Sequence, residues 1–229
     1  MSVIVSTVTD IVTLHSDHRH YMNKLDLTKQ YKSYYSAKTK PELVYIEAAQ
    51  YLSITGKGDP SSAAFQQDIQ ALYSVAYAIK FMCKEGGNDF TVAKLEGDWW
   101  YDEQLYAGIS GEDTPSKIPR SEWLYRLMIR LPEFVQSNQI EKAQKTAIEK
   151  KGIARAAALT QHTTSAHEAA QMMHVGPFDK EPETIQRIIN FMRENSLQKG
   201  GHHHEIYLSD FRKTAVEKLR TILREPVKG

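Results

Sequence analysis

A single cysteine in 229 residues excludes a disulfide framework and a thiolate-bound metal cluster. That residue, Cys83, falls in an apolar stripe at helical spacing and reads as a buried structural thiol. Charge of one sign is lacking too: 29 basic against 28 acidic residues leave a net +1. Such balance excludes a broad polyanion-binding surface, and with no basic arm or helix-turn-helix pattern it argues against nucleic acid as a partner. Long apolar runs are missing. Val3 to Leu14 lacks both a basic leader and the length to cross a bilayer, so the expectation is a soluble, cytoplasmic protein with no membrane partner. Histidine is plentiful, at nine residues, yet no HExxH or comparable spacing occurs. The groups Asp17-His18-Arg19-His20 and His202-His203-His204 are consecutive, and neighbours on a strand point to opposite faces. No metal and no cofactor are expected.

What the chain does have is a repeated order of elements. Leu43 to Gly56 reads as a strand, broken by Gly56-Lys57-Gly58-Asp59-Pro60. Ser61 or Ser62 can cap the helix that follows, where Phe65, Ile69, Leu72, Ala76, Ile79 and Cys83 share one face. Glu85-Gly86-Gly87 ends that helix, and strands are expected at Phe90 to Leu95 and Trp123 to Leu131. The order then recurs. His167 to Val175 reads as a strand, broken at Gly176-Pro177, and Pro182 opens a helix with the stripe Ile185, Ile188, Ile189 and Met192. Strands follow at His203 to Ser209 and at Arg220 to Arg224, the last stopped by Pro226. Gln139 to Lys151 reads as a linking helix with a solvated charged face.

The expected fold is therefore α+β: a pseudo-twofold duplication of a β-α-β-β unit. It would form a curved antiparallel sheet with helices on one face and a ligand cleft between the halves. The domain would span residues 31–229, with halves at about 40–132 and 153–228, preceded by an N-terminal extension at 1–30. The long connection from Gly97 to Arg120, with Pro115 and Pro119, reads as functional or mobile.

One strand carries unusual chemistry. In His203-His204-Glu205-Ile206-Tyr207-Leu208, alternation puts His203, Glu205 and Tyr207 on one face and His204, Ile206 and Leu208 on the other. If Ile206 and Leu208 cover the core, Glu205 looks out opposite, on the face away from the helices. A carboxylate between an imidazole and a phenol fits a solvated ion pair or a concave site. Twelve Tyr, seven Phe and three Trp exceed what a core needs. Adjacent Trp99 and Trp100, placed at a strand exit, cannot both enter one core, so one lines a cavity or plugs a strand end. Tyr73 and Tyr77, four apart on the first helix, fit either core packing or a cavity wall.

These segments together resemble the GyrI-like small-molecule-binding proteins over about Tyr31 to Val227. The resemblance is carried by Ile54-Thr55-Gly56-Lys57-Gly58-Asp59-Pro60, Ala71 to Tyr77, Leu95-Glu96-Gly97-Asp98-Trp99-Trp100, His174-Val175-Gly176-Pro177-Phe178 and His203 to Asp210. The chain departs from the family at Met1 to His20 and at Phe211, where proline is usual. The resemblance implies a central acidic residue in the cleft, matching Glu205. The paired Trp and the lack of a DNA-binding region are similar to a stand-alone subfamily linked to hydrolysis of cyclopropanoid DNA-alkylating compounds. By that match Glu205 and Tyr207 are the catalytic candidates. Trp99, Trp100, Tyr73, Tyr77, Phe178 and His203 are candidates for ligand binding.

Three readings stay open. An enzyme would add water to a cyclopropane, with Glu205 orienting or deprotonating the water. A binding module would sequester planar hydrophobic or cationic xenobiotics as a detoxifying sink. A regulator would contact a protein partner through the 97–120 loop. The oligomeric state is open, a monomer included.

Overall fold

The computed structural model describes residues 24–109 and 114–228. The Val3–Leu14 segment and the Asp17–His20 group lie outside them. In chain order the elements are β1 (Leu25–Asp26), α1 (Leu27–Gln30), β2 (Glu42–Ile46), β3 (Ala49–Lys57), α2 (Ala63–Glu85), β4 (Phe90–Thr91), β5 (Leu95–Trp100) and α3 (Thr114–Lys117). They continue with β6 (Leu124–Leu131), α4 (Ser137–Lys151), β7 (Thr160–Thr164), β8 (His167–Val175), α5 (Glu181–Glu194), β9 (Gln198–Lys199), β10 (His203–Tyr207) and β11 (Arg220–Lys228).

Nine strands form one sheet in the order β2-β8-β11-β10-β5-β6-β3-β7, with β9 added on β11. Every pairing in it is antiparallel. The sequence β3-α2-β5-β6 is thus followed by β8-α5-β10-β11, and the two sets of strands meet where β5 pairs β10.

α2 and α5 lie on one face of this sheet. The apolar stripe of α2 is buried with Leu52 and Ile54 of β3 and Leu127 and Ile129 of β6. Ser62 accepts a bond from the Phe65 amide at 3.2 Å and so caps α2. Gly56 must be glycine, because a Cβ there would stand 2.3 Å from the Tyr125 ring. α5 packs Ile188 and Met192 against Ala170, Met172 and Leu223 of β8 and β11. α2 therefore packs on β3 and β6 and α5 on β8 and β11, with β5 and β10 between these two wings. Cys83 is buried, and its burial raises the thiol pKa.

The other face is covered by the segment after α1. Tyr34 and Tyr35 are buried there, and Met173 donates its amide to the Lys38 carbonyl at 2.7 Å. Residues 25–30, assigned by sequence to the N-terminal extension, also pack: Leu25 pairs with Phe90, and Leu27 is buried.

The structure corrects several expectations. The Leu43–Gly56 strand is two strands, β2 pairing β8 and β3 pairing β6 and β7. Continuous hydrophobicity masked the crossing at Glu47-Ala48. The strand expected at Phe90–Leu95 is instead a two-residue bridge to β1 followed by β5, whose last two residues are Trp99 and Trp100. β11 runs through Pro226 to Lys228. Proline is tolerated there because β10 pairs only as far as Arg224, and the missing amide faces no central neighbour. Most consequentially, Glu205 is on the helix face. It stands opposite Leu223, which packs under α5.

Candidate functional site between the two helices

β10 lies at the centre of the sheet, and its alternation separates two chemistries. His203, Glu205 and Tyr207 point between α2 and α5, joined from neighbouring strands by Trp99, Gly97, Thr221 and Glu225. His204 and Ile206 point to the opposite face, where His204 Nε2 lies 3.0 Å from Glu96 Oε2.

The helix-face cluster is tightly linked. His203 Nδ1 is 2.6 Å from Glu225 Oε1. Its Nε2 lies 3.3 Å from Glu205 Oε1, within ion-pair range but not aligned as a hydrogen bond. Burial works against a charged His203, but Glu225 and Glu205 outweigh it and raise its pKa to about 10. The reciprocal effect holds Glu225 below its ordinary value: burial pushes it up, and His203 more than reverses this. Trp99 Nε1 donates to Tyr207 Oη at 3.0 Å. Burial, and then the negative charge of Glu205, push the Tyr207 phenol far up, so it remains a neutral hydroxyl.

A second acid comes from α5. Glu181, the first residue of that helix, is buried beside Glu205. Burial first and the Glu205 charge second raise its pKa well above the ordinary carboxylate value, and His203 and Thr221 oppose the shift only in part. Its Oε1 has no hydrogen-bond partner. Two neighbouring carboxyl groups in unlike environments are the arrangement that separates an acid from a base.

Gly97 lies directly across from Glu205, and it keeps the floor low. A Cβ there would come 3.1 Å from Trp99 Nε1 and 3.3 Å from Tyr207 Oη.

Among the candidate site residues, Glu205, Tyr207, His203 and Trp99 converge. Phe178, 41% exposed, meets the Tyr207 ring edge-on at 6.1 Å and Phe211 at 6.4 Å. Trp100 is not in this group. It lies on the opposite face, stacked on His202 at 4.5 Å with Arg126 over its ring. Tyr73 is partly buried and within the electrostatic reach of Arg212 and Asp210 on the β10–β11 connection. Tyr77 stacks on Tyr73 at 6.4 Å but is 47% exposed.

Sequence reasoning missed Glu181, Glu225 and Gly97. Glu225 lies one residue past the strand that the sequence predicts to stop at Arg224; in β11, which runs to Lys228, it alternates with Thr221 and Leu223. Glu181 has only a generic signal, an acid in the first turn of a helix. Among the described residues no group of three His, Cys, Asp or Glu side chains is arranged to hold a metal ion.

The fold and this interhelical cluster define a class: an antiparallel-sheet small-molecule-binding domain. The GyrI-like small molecule binding domain matches residues 144–228. An uncharacterized conserved protein from Listeria innocua is 35% identical, with a TM-score of 0.80, over 90% of this chain and 100% of its own. A hydrolase from Listeria innocua is 36% identical, with a TM-score of 0.76 and the same coverage. The C-terminal domain of EcmrR shares the fold alone, at 11% identity and a TM-score of 0.54, covering 82% of this chain and 97% of its own. No curated protein matches the sequence. The chain belongs to the GyrI-like family of small-molecule-binding proteins. Among the described residues no helix is long and apolar enough to cross a membrane.

Proposed function

We propose that this protein receives planar hydrophobic or cationic xenobiotics between α2 and α5 and hydrolyses cyclopropanoid DNA-alkylating compounds by adding water. The observation that carries the reading is the pairing of Glu205 with Glu181 beside the Trp99–Tyr207 hydrogen bond. Glu205 takes a proton from water as the water oxygen attacks the less hindered cyclopropane carbon. The strained C–C bond breaks, and its electron pair moves to the conjugated carbonyl oxygen. A neutral donor must meet that oxygen, and Glu181, which favours its protonated form, and Tyr207 both qualify. Trp99 and Phe178 supply ring faces that hold a flat substrate in register. Detoxification is the physiological role that follows. The hydrolase name of the Listeria innocua relatives supports turnover over passive binding.

A sink that binds without turnover is the second reading. It is favoured by the charge count, since Glu205 and Glu225 face the single imidazole of His203 and suit a cation whether or not chemistry follows. Incubation with a duocarmycin-type alkylator, read by mass spectrometry, separates the two. Water addition above the buffer rate, lost in Glu205→Gln, is the expected result. Intact ligand retained on the protein would leave only the sink, and unchanged turnover in Glu205→Gln would remove Glu205 from the chemistry.

A further inference from the structure

The face away from the helices carries a buried guanidinium that bonds no acceptor among the described residues. Arg130, near the end of β6, is 4% exposed. Its guanidinium carbon lies 3.8 Å from the centroid of the Tyr31 ring and 4.9 Å from that of Tyr34. Ring contacts use the π faces of the guanidinium; its five N–H donors lie in the plane and need acceptors. Among the described residues no oxygen accepts a hydrogen bond from Arg130, and no carboxylate pairs with it.

The surroundings do not offer one. The buried acid of this layer is Glu96, already engaged by Tyr34, Tyr35 and His204. Arg224, wholly buried, is a second guanidinium on this face, and it bonds Gln171 and the Tyr34 carbonyl. The buried carboxylate of this layer thus bonds neither guanidinium, in a setting where an unpaired charge is unfavourable.

Arg130 opens onto a cavity of about 530 Å³ whose walls include Tyr31, Tyr34 and Tyr45, with Gln30 and Ser33 as polar groups. That volume lies within the range of small-molecule sites. Glu47 also lines it and is exposed. A carboxylate at the rim disfavours a dianion, so a monoanion on a flat apolar body is the best match. We propose that this cavity is a second ligand site, separate from the interhelical one, that binds small aromatic carboxylates through a two-pronged contact with Arg130.

The test uses the full chain and three probes: benzoate, its neutral analogue benzamide, and inorganic phosphate. Benzoate is expected to raise the melting temperature in a dose-dependent way while benzamide does not. Arg130→Met is expected to fold with wild-type or higher stability, because it removes an unpaired buried charge, and to weaken benzoate at least about tenfold. If that variant fails to fold, Glu47→Gln decides: it should tighten benzoate, but not benzamide, by removing a like charge. Glu205→Gln should leave benzoate binding unchanged, which keeps this result independent of the interhelical chemistry. The proposal is overturned if benzoate does not bind, if benzamide binds equally, or if Arg130→Met retains full affinity. Phosphate binding as tight as benzoate would overturn the carboxylate assignment.

Discussion

The two faces of the central sheet are built from the same strands but have opposite electrostatic character. Between the helices, Glu181, Glu205 and Glu225 surround one imidazole, so acids are in excess. Behind the sheet, Arg130 and Arg224 both lie against the Tyr34 ring and Glu96 is the fully buried acid of the layer, so guanidinium is in excess. The separation follows from pleating, which sends Glu96 and Gly97, or His204 and Glu205, to opposite sides at adjacent positions. A single sheet can thus present a cation-seeking and an anion-seeking surface only a strand's thickness apart, each with its own aromatic lining. The helix face is completed by α5, which contributes Glu181. The back face is completed by the segment after α1, which contributes Tyr31 and Tyr34.

Experiments that break this contrast should be graded in effect. Glu205→Gln removes the proposed base and is expected to slow water addition by roughly 10²–10⁴-fold, measured as single-turnover rate by mass spectrometry. An undiminished rate would dissolve the assignment of chemistry to this face. On the other face, Glu96→Ala removes the buried carboxylate that Tyr34, Tyr35 and His204 bond and the buried negative charge of that layer, and it should cost about 3–5 kcal/mol in urea unfolding. Loss of less than about 1 kcal/mol would mean that the two faces do not rely on separate charge balances.

Gly97→Ala tests the floor of the interhelical site. Its Cβ would crowd Trp99 Nε1 and Tyr207 Oη. The expected outcome is about 1–3 kcal/mol of lost stability and a fall in turnover, and wild-type turnover would show that the Trp99–Tyr207 bond is dispensable.

The pH dependence sharpens the comparison further. The folded pKa of His203 is raised to about 10, so its contribution to stability is complete below the unfolded histidine value of roughly 6.5. That contribution is lost as pH rises through about 10. Urea midpoints should therefore fall between these limits in the wild type and fall less in His203→Gln. Equal slopes would show that the imidazole is not charged in the folded protein. The smallest effect is expected on α2. Tyr73→Ala should weaken binding of a flat cationic dye several-fold, and exposed Tyr77→Ala less than twofold, read by Trp fluorescence.

Much of this architecture was legible in sequence. The stripes of α2 and α5, the Ser62 cap, the breaks at Gly58 and Gly176, and the alternation of β10 all come from local periodicity, and each stands where that periodicity puts it. Edges were less legible. β11 passes through Pro226 because its neighbour β10 has already ended, a fact about another strand and not about proline. The merging of β2 with β3 has the same origin, since only different partners distinguish them.

The sequence by itself determined which side chains share a face of each strand and helix, because those periods are fixed by backbone geometry. It paired Glu205 with His203 and Tyr207 and separated them from His204. Only the tertiary structure decided which face of the sheet receives the helices, and with it that Trp99 and not Trp100 meets Tyr207. It also decided that Glu181 comes to Glu205 from a helix 24 positions earlier, and that Arg130 lies against the rings of Tyr31 and Tyr34. Those outcomes depend on long-range packing of apolar surface, which is non-directional and leaves no local mark on the residues it brings together.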